Sequence, residues 1–416
     1  MSRPARKGGG RQLDVRLTAM GGRGDATGSP EDGTTLFVPF ALPGEQVRIR
    51  TATKTDAGMR GDLIELLTES PDRVDPPCPN FGPCGGCQLQ HWAPQAETAW
   101  KEELVRSAVI RAGYDPACVQ PLQRPEPALR RRARFVSNGG QVGFRERRGK
   151  AISSLSGCLT LEPDLLAFAE ALVVPKGEIE WTVTSTPSGL DIAAQSKADA
   201  PDPLAVQDLL APLPKVARLT WNGELLLEID APRIDLGGLS PILPPGGFLQ
   251  PSLAGQAALQ QAVLSAIPAD ADWVADLYCG LGTFAIPLAA RGHRVQALES
   301  YEPAIAALDA AVRRDPTNTH KIHVGLRNLD LYPLHDDELD GFDAAIFDPP
   351  RAGARSQARR LAESHIPTLI AVSCNPTTWA RDAHLLNEGG YTLTSVQPID
   401  QFPYTPHLEL VSVFRR

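Results

Sequence analysis

From about residue 250 to the end, strand-length apolar runs alternate with segments of helical periodicity. QAALQQAVLSAI precedes WVADLY, and the loop CGLGT leads into FAIPLAARG; RVQAL, YEPAIAALDAAVRR, DAAIF, SQARRLAES, PTLIAVS and TTWARDAHLLNEGG continue the alternation. Runs that are apolar throughout suit strands buried on both faces, so the pattern predicts an α/β domain: a mostly parallel sheet with helices on both sides. Ligands in that architecture collect beyond the carboxyl ends of the strands, which directs attention to the residues that follow each run.

Three such segments carry candidate chemistry. Asp276-Leu-Tyr-Cys-Gly-Leu-Gly282 ends a strand in two glycines that allow a tight turn and close backbone approach, and Glu299 closes the next strand, where a carboxylate can accept ribose hydroxyls. A dinucleotide and S-adenosylmethionine both fit this pattern. Asp348-Pro-Pro-Arg351 follows DAAIF; its prolines stiffen the corner and remove two amide donors, leaving Asp348 on a rigid platform. Amino-group methyltransferases have an aromatic after such a corner, where this chain has Arg351. Ser373-Cys374-Asn375-Pro376 follows PTLIAVS and places a thiol before a helix N-terminus, which favours the thiolate. A thiolate adding to C6 of a uracil makes C5 nucleophilic towards a sulfonium methyl, and a base must then remove the C5 proton; Glu409, opening the last strand, is the candidate base.

The preceding 250 residues read differently. MSRPARKGGG, residues 1–10, reads as a disordered basic tail. Residues 11–69 hold short alternating runs between glycine-rich turns, which predict a small OB-like β-barrel, a fold that often holds single-stranded nucleic acid. Residues 70–92 are Pro- and Cys-rich, with Cys78, Cys84 and Cys87 at C-x5-C-x2-C spacing and Cys158 as a remote fourth thiol; spacing leaves zinc and an iron-sulfur cluster both open. Residues 95–113 read as an amphipathic helix, and 124–245 as an antiparallel α+β domain.

The segments DLYCGLGTFAIPLA, DPPRAGA, SCNPTTWARD and DQFPYTPHLELV stand in this order. Together they resemble the bacterial RNA uracil-C5 methyltransferases, in the branch that carries a TRAM barrel and a cluster and acts on 23S ribosomal RNA. The resemblance covers nearly the whole chain after residue 10. It implies a class I Rossmann-like methyltransferase domain over 93–123 and 246–416, a TRAM barrel over 11–69, and an iron-sulfur and RNA-binding domain over 70–92 and 124–245. It further implies Cys374 as nucleophile and Glu409 as proton acceptor. Gln250, Tyr278, Thr283, Glu299 and Asp348 would line the S-adenosylmethionine site, with Asn328 near it. Cys78, Cys84, Cys87 and Cys158 would hold a [4Fe-4S] cluster, while Cys118 and Cys279 have no role. Thr283 and Ser252 depart from the asparagines usual at those places.

A formal charge of -8 argues against a nucleic-acid partner only on average. Between Arg130 and Lys150, eight basic residues face Glu146 alone, a local charge of +7 that can form a phosphate-binding face. No apolar run has membrane-spanning length, and the basic start lacks an apolar signal core, so a cytoplasmic monomer without membrane contact is expected. Two rivals are weaker. A radical methylthiotransferase needs C-x3-C-x2-C, and a purely RNA-binding cluster protein has no need of the intact nucleophile, base and donor loop. Transfer RNA is the alternative substrate for the same chemistry.

Overall fold

The computed structural model describes residues 10–30, 33–147, 149–317 and 320–416; the tail expected over 1–10 lies outside these up to residue 9, as does Arg148 of the basic segment. The chain forms two compact units. One runs to Lys101 and takes in Tyr404–Pro406; the other comprises Glu102–Pro403 and His407–Arg416. Among the described residues, no helix is long and apolar enough to cross a membrane.

The first unit is built on strands β1 (Gln12–Arg16), β2 (Ala19–Met20), β3 (Ala26–Gly28), β4 (Leu36–Val38), β5 (Gln46–Thr55) and β6 (Gly58–Thr68), in the order β1-β5-β6-β4-β3-β2. Alternate residues point inward, and Val15, Leu17, Leu36, Val38, Val47, Ile49 and Leu89 form its core. A six-stranded β-unit stands where the OB-like barrel is expected, with β1 and β2 as the ends of its ladder order. Buried Glu45 ties it to the following irregular segment: its carboxylate accepts from Leu42 N at 2.7 Å and from Arg73 Nε and Nη2 at 2.6 and 2.9 Å. Helix α1 (Pro94–Arg111), read from the sequence as 95–113, begins in this unit and ends in the second, where Val105, Ala108, Val109 and Ala112 are buried at helical spacing.

The second unit holds two sheets. Its first contains β7 (Arg132–Asn138), β8 (Gln141–Arg145), β9 (Ile152–Ser153), β10 (Ile179–Thr186), β11 (Gly189–Ser196), β12 (Val216–Trp221) and β13 (Glu224–Glu228). The order is β13-β12-β11-β10-β7-β8-β9, with helices α2 (Pro163–Ala171) and α3 (Pro203–Leu210). The sheet is mixed where an antiparallel one was expected: β11 and β12 are parallel because α3 supplies the crossover that a parallel pair requires. Phe135, Phe168, Trp181 and Trp221 dominate its core.

The second sheet follows α4 (Leu253–Ala266). It contains β14 (Trp273–Leu277), β15 (Arg294–Glu299), β16 (Ile322–Leu326), β17 (Ala344–Phe347), β18 (Thr368–Ser373), β19 (Thr392–Ile399) and β20 (Glu409–Arg415). Helices α5 (Ala285–Ala290), α6 (Glu302–Arg314), α7 (Asp336–Leu339), α8 (Arg355–Glu363) and α9 (Pro376–Glu388) connect them. The order is β16-β15-β14-β17-β18-β20-β19; the first five strands are parallel, and β20 runs antiparallel to both neighbours. Every residue of β17 and β18 is buried, as their unbroken apolar runs require. The strand order reverses between β14 and β17, which opens a crevice at their carboxyl ends.

The two sheets of this unit are tied through Arg131. Rather than facing solvent, it is 3% exposed, donates from Nε to Gln250 O at 3.1 Å and from Nη2 to Gln256 Oε1 at 2.6 Å, and burial pulls its pKa down to about 10. Arg132 is half-buried on Gly246 O at 2.9 Å, and Arg145 is paired with Glu178. The basic segment is therefore not one phosphate-facing surface throughout, because Arg131 and Arg132 donate to Gly246, Gln250 and Gln256. Replacing Arg131 by Met strips two buried acceptors of their donor and is expected to cost about 1–3 kcal/mol in urea unfolding. The salt slope of RNA binding should not change; a slope lower by about one charge would put Arg131 on a phosphate instead.

Candidate active site

The site is built by strand ends. The ladder pairs Leu277 with Phe347 and Phe347 with Ala371, so Tyr278 and Asp348 leave the same edge of the sheet. Ser373 pairs with Leu410 across the antiparallel β18–β20 ladder, which sets the next residue of one strand, Cys374, opposite the first residue of the other, Glu409. The segment after β17 is held by β18's own loop: Arg351 O accepts from Asn375 Nδ2 at 3.0 Å and from Thr378 Oγ1 at 3.2 Å. Asn375 also caps α9 through Thr377 N at 3.0 Å.

The loop after β14 is shaped by conformations few residues adopt. Tyr278 has φ 64° and Gly282 φ 89°, and a Cβ at Gly282 would crowd Leu308 Cδ1 at 2.9 Å. Asp276, wholly buried in β14, accepts from Ala285 N at 2.8 Å and so closes the loop onto the start of α5. Glu299 holds it from the other side, accepting from Gly280 N at 3.1 Å, from Ser300 N and Oγ at 2.7 and 3.1 Å, and from Tyr301 N at 2.8 Å. Three of these donors share Oε1 and only Gly280 N meets Oε2, so Oε2 keeps a lone-pair position for a ribose hydroxyl. Tyr278 Oη donates to Asp330 Oδ1 at 3.2 Å. Asn328 turns that loop by accepting from Asp330 N and Leu331 N, both at 3.1 Å. Thr283 is half-buried, and its carbonyl accepts from Gln260 Nε2 at 2.9 Å.

Electrostatically the crevice is starved of cations. Burial raises Asp276 to about 8, with Asp348 and Glu299 adding to the shift. Burial and then Glu299 raise Asp348 to about 7. Glu409 reaches about 8 through burial and then Asp348, against the opposing pull of Gln401's hydrogen bond and of Arg351. Burial, then Glu409 and Asp348, push the Cys374 thiol up to about 11, with Arg351 opposing. Where the α9 N-terminus was expected to favour a thiolate, desolvation and two facing carboxylates instead favour the protonated thiol. Cys374 and Glu409 both lie within electrostatic reach of Asp348 and Arg351, and Cys374 within reach of Glu409.

Of the residues singled out in the sequence, Cys374, Glu409, Asp348, Glu299 and Tyr278 come together at the sheet edge. Gln250 joins them from outside the strand pattern. It is 5% exposed, and its Oε1 accepts from Gln401 Nε2 at 2.9 Å, which in turn donates to Glu409 Oε1 at 3.4 Å. Asp276 and Gln401 fall within the segments quoted from the sequence but have no role in that reading. A carboxylate inside an apolar strand was the available signal for Asp276, whereas nothing local marks Gln401. Cys78, Cys84 and Cys87 are half-buried in the first unit, and Cys158 is half-buried in the second. Among the described residues, no three His, Cys, Asp or Glu side chains are grouped to hold a metal ion, so the expected cluster has no support in this geometry. Cys279 is buried, and burial raises its thiol well above the ordinary value, as befits an inert group.

A family model described as tRNA (Uracil-5-)-methyltransferase matches residues 243–416, the part that contains this edge. An uncharacterized RNA methyltransferase of Caulobacter vibrioides is 38% identical over 97% of this chain and 100% of its own length. The 23S rRNA (uracil(1939)-C(5))-methyltransferase RlmD of Chromohalobacter salexigens is 30% identical over 97% of this chain and 89% of its own. The crystal structure of Pyrococcus abyssi tRNA (uracil-54, C5)-methyltransferase in complex with S-adenosyl-L-homocysteine superposes with a TM-score of 0.74 at 22% identity, covering 97% of this chain and 99% of that one. This likeness shows a shared fold.

A thiol raised to about 11 has a smaller thiolate fraction at pH 8 than an ordinary cysteine. Alkylation of Cys374 by iodoacetamide, followed by peptide mass spectrometry, should be slow at pH 8 and still accelerating above pH 10. A plateau below pH 9 would contradict the carboxylate environment described.

Proposed function

Since the chain belongs to the RNA uracil-5-methyltransferase family, we propose that it methylates carbon 5 of a uridine in 23S ribosomal RNA, using S-adenosylmethionine and a covalent adduct of Cys374. The observation that carries this reading is the pairing of Ser373 with Leu410, which sets a thiol and a carboxylate opposite one another at the ligand-bearing edge of the sheet. The choice of 23S RNA rests on relatives that bear that substrate in their names.

S-adenosylmethionine, when bound, supplies an electrophilic methyl group on a positively charged sulfur. Gln250, Tyr278, Thr283, Glu299 and Asp348 are the residues assigned to hold it. The raised Asp276 and Asp348, with Glu299 beside them, make a pocket in which a cation relieves mutual repulsion. Cys374 Sγ gives up its proton to water and bonds to C6 of the uracil; the C5–C6 electron pair moves to C5 and the O4 enolate, and Glu409 stays ionised for the later step. After C5 has taken the methyl group, Glu409 removes the C5 proton, that bond's electrons restore C5=C6, and the C6–S bond breaks to return the thiolate. Glu409 acts as its carboxylate, so turnover should climb as pH rises through about 8.

With RNA containing 5-fluorouridine, the C5 proton is replaced by fluorine and the last step fails. Denaturing electrophoresis should then show a stable protein–RNA adduct that is absent in Cys374→Ala. Glu409→Gln should form an adduct with ordinary RNA and release methylated product at least a hundredfold slower. Trapping by transfer RNA but not by 23S fragments would move the target, and trapping by neither would favour a protein that only binds RNA.

The resemblance also assigns a [4Fe-4S] cluster to Cys78, Cys84, Cys87 and Cys158, and no step of the reaction passes through it. Protein purified without oxygen should carry about four irons and four sulfides per chain on this assignment. Iron-free, fully folded and active protein would remove the cluster from the reading.

A further inference from the structure

The side chain of Gln401 is wholly buried between two functional residues that lie far apart in sequence. Its Nε2 donates to Gln250 Oε1 at 2.9 Å and to Glu409 Oε1 at 3.4 Å. Two acceptors on one side fix which way the amide faces, since turning it would set its oxygen against both. Among the described residues Gln401 Oε1 has no hydrogen-bond partner, so the amide is not held in place by bonds on its other side. What confines it there is packing against Gly255, where any Cβ would overlap Gln401 Oε1 and stand 2.7 Å from its Cβ. Ser252 Oγ fixes that turn by accepting from Gly255 N at 3.0 Å.

We propose that Gln401 is the positioning residue of the reaction, one amide that orients the base Glu409 and, at the same time, presents Gln250 to the ligand. The proposal rests on the functional reading above. With its Oε1 engaged by Gln401, Gln250 keeps Nε2 as the group it offers, and no protein acceptor among the described residues takes it. At Glu409, the donated hydrogen bond stabilises the ionised form and holds one oxygen, leaving the other for the C5 proton. The remaining charged or titratable groups facing Glu409 are Asp348 and Arg351 from the segment after β17, and Cys374 from the end of β18. Of these, only Arg351 also favours the carboxylate, so removing Gln401 shifts the balance towards the protonated, inactive base. Gly255 acts one layer further out, keeping space for the amide.

The test uses the full-length protein and its RNA. Gln401→Met keeps the volume and removes the donor; Gly255→Ala keeps Gln401 and displaces it. Both are expected to form the 5-fluorouridine adduct at saturating S-adenosylmethionine while requiring more of it for half-maximal rate, to release methylated product roughly tenfold more slowly, and to move the rising limb of the pH–turnover profile to higher pH. Turnover and a pH limb equal to wild type in Gln401→Met would overturn the proposal. So would loss of adduct formation in both variants, which would make Gln401 a packing element only. If wild-type protein gives no adduct, the functional reading fails; the positioning role is then read from a carbon NMR titration of the Glu409 carboxyl, which must shift upward in Gln401→Met to stand.

Discussion

The register between β18 and β20 is the constraint on which the site depends. Because Ser373 faces Leu410, the thiol after one strand and the carboxylate opening the other leave the sheet side by side, although 35 positions separate them in the sequence. A one-residue slip would turn every side chain of β20 to the other face. Such a slip is prevented by burial: the first six residues of β20 are buried, and β20 pairs on both sides. The same hydrogen bonds that complete the core therefore set Cys374 opposite Glu409.

Charge gives this edge its character. Asp276, Asp348 and Glu409 are all pushed up first by burial, with Glu299 adding to Asp348, Asp348 and Glu299 to Asp276, and Asp348 to Glu409; Cys374 is pushed up by burial, Glu409 and Asp348. A fold gains nothing in stability from such a cluster, since desolvated like charges oppose folding. It is intelligible as a place prepared for a cation and for proton transfer near neutral pH. Arg351 is the positive group that opposes the shifts of both Cys374 and Glu409, and it sits on the corner that Asn375 and Thr378 hold in place.

The parallel part of the fold was legible because fully buried strands need uninterrupted apolar runs, and DAAIF and PTLIAVS are such runs. β16 escaped notice: it is an edge strand, its residues after Ile322 are at least half-exposed, and it therefore lacks the signal. The mixed central sheet was read as antiparallel because alternation reports which face is buried, not the direction of the neighbouring strand. The burial of Arg131 within the basic segment was not legible for a similar reason. Arg130, Arg131 and Arg132 are adjacent in the sequence, yet Arg131 is satisfied by Gln250 and Gln256, more than 115 residues away, and composition cannot report a partner at that distance.

By itself, the sequence determined which groups could do chemistry and on which edge of the sheet they stand, since a strand's end is encoded in the few residues that stop it: Gly280 and Gly282, Pro349 and Pro350, Asn375 and Pro376. Tertiary structure alone decided their protonation and their alignment. The upward shift of Cys374, against the pull of a helix end, comes from desolvation and from carboxylates delivered by β17 and β20. The alignment of Gln250 with Glu409 comes from a buried amide on a third segment. Both are sums over neighbours that meet only when the chain is folded, and for that reason no local pattern of residues announces them.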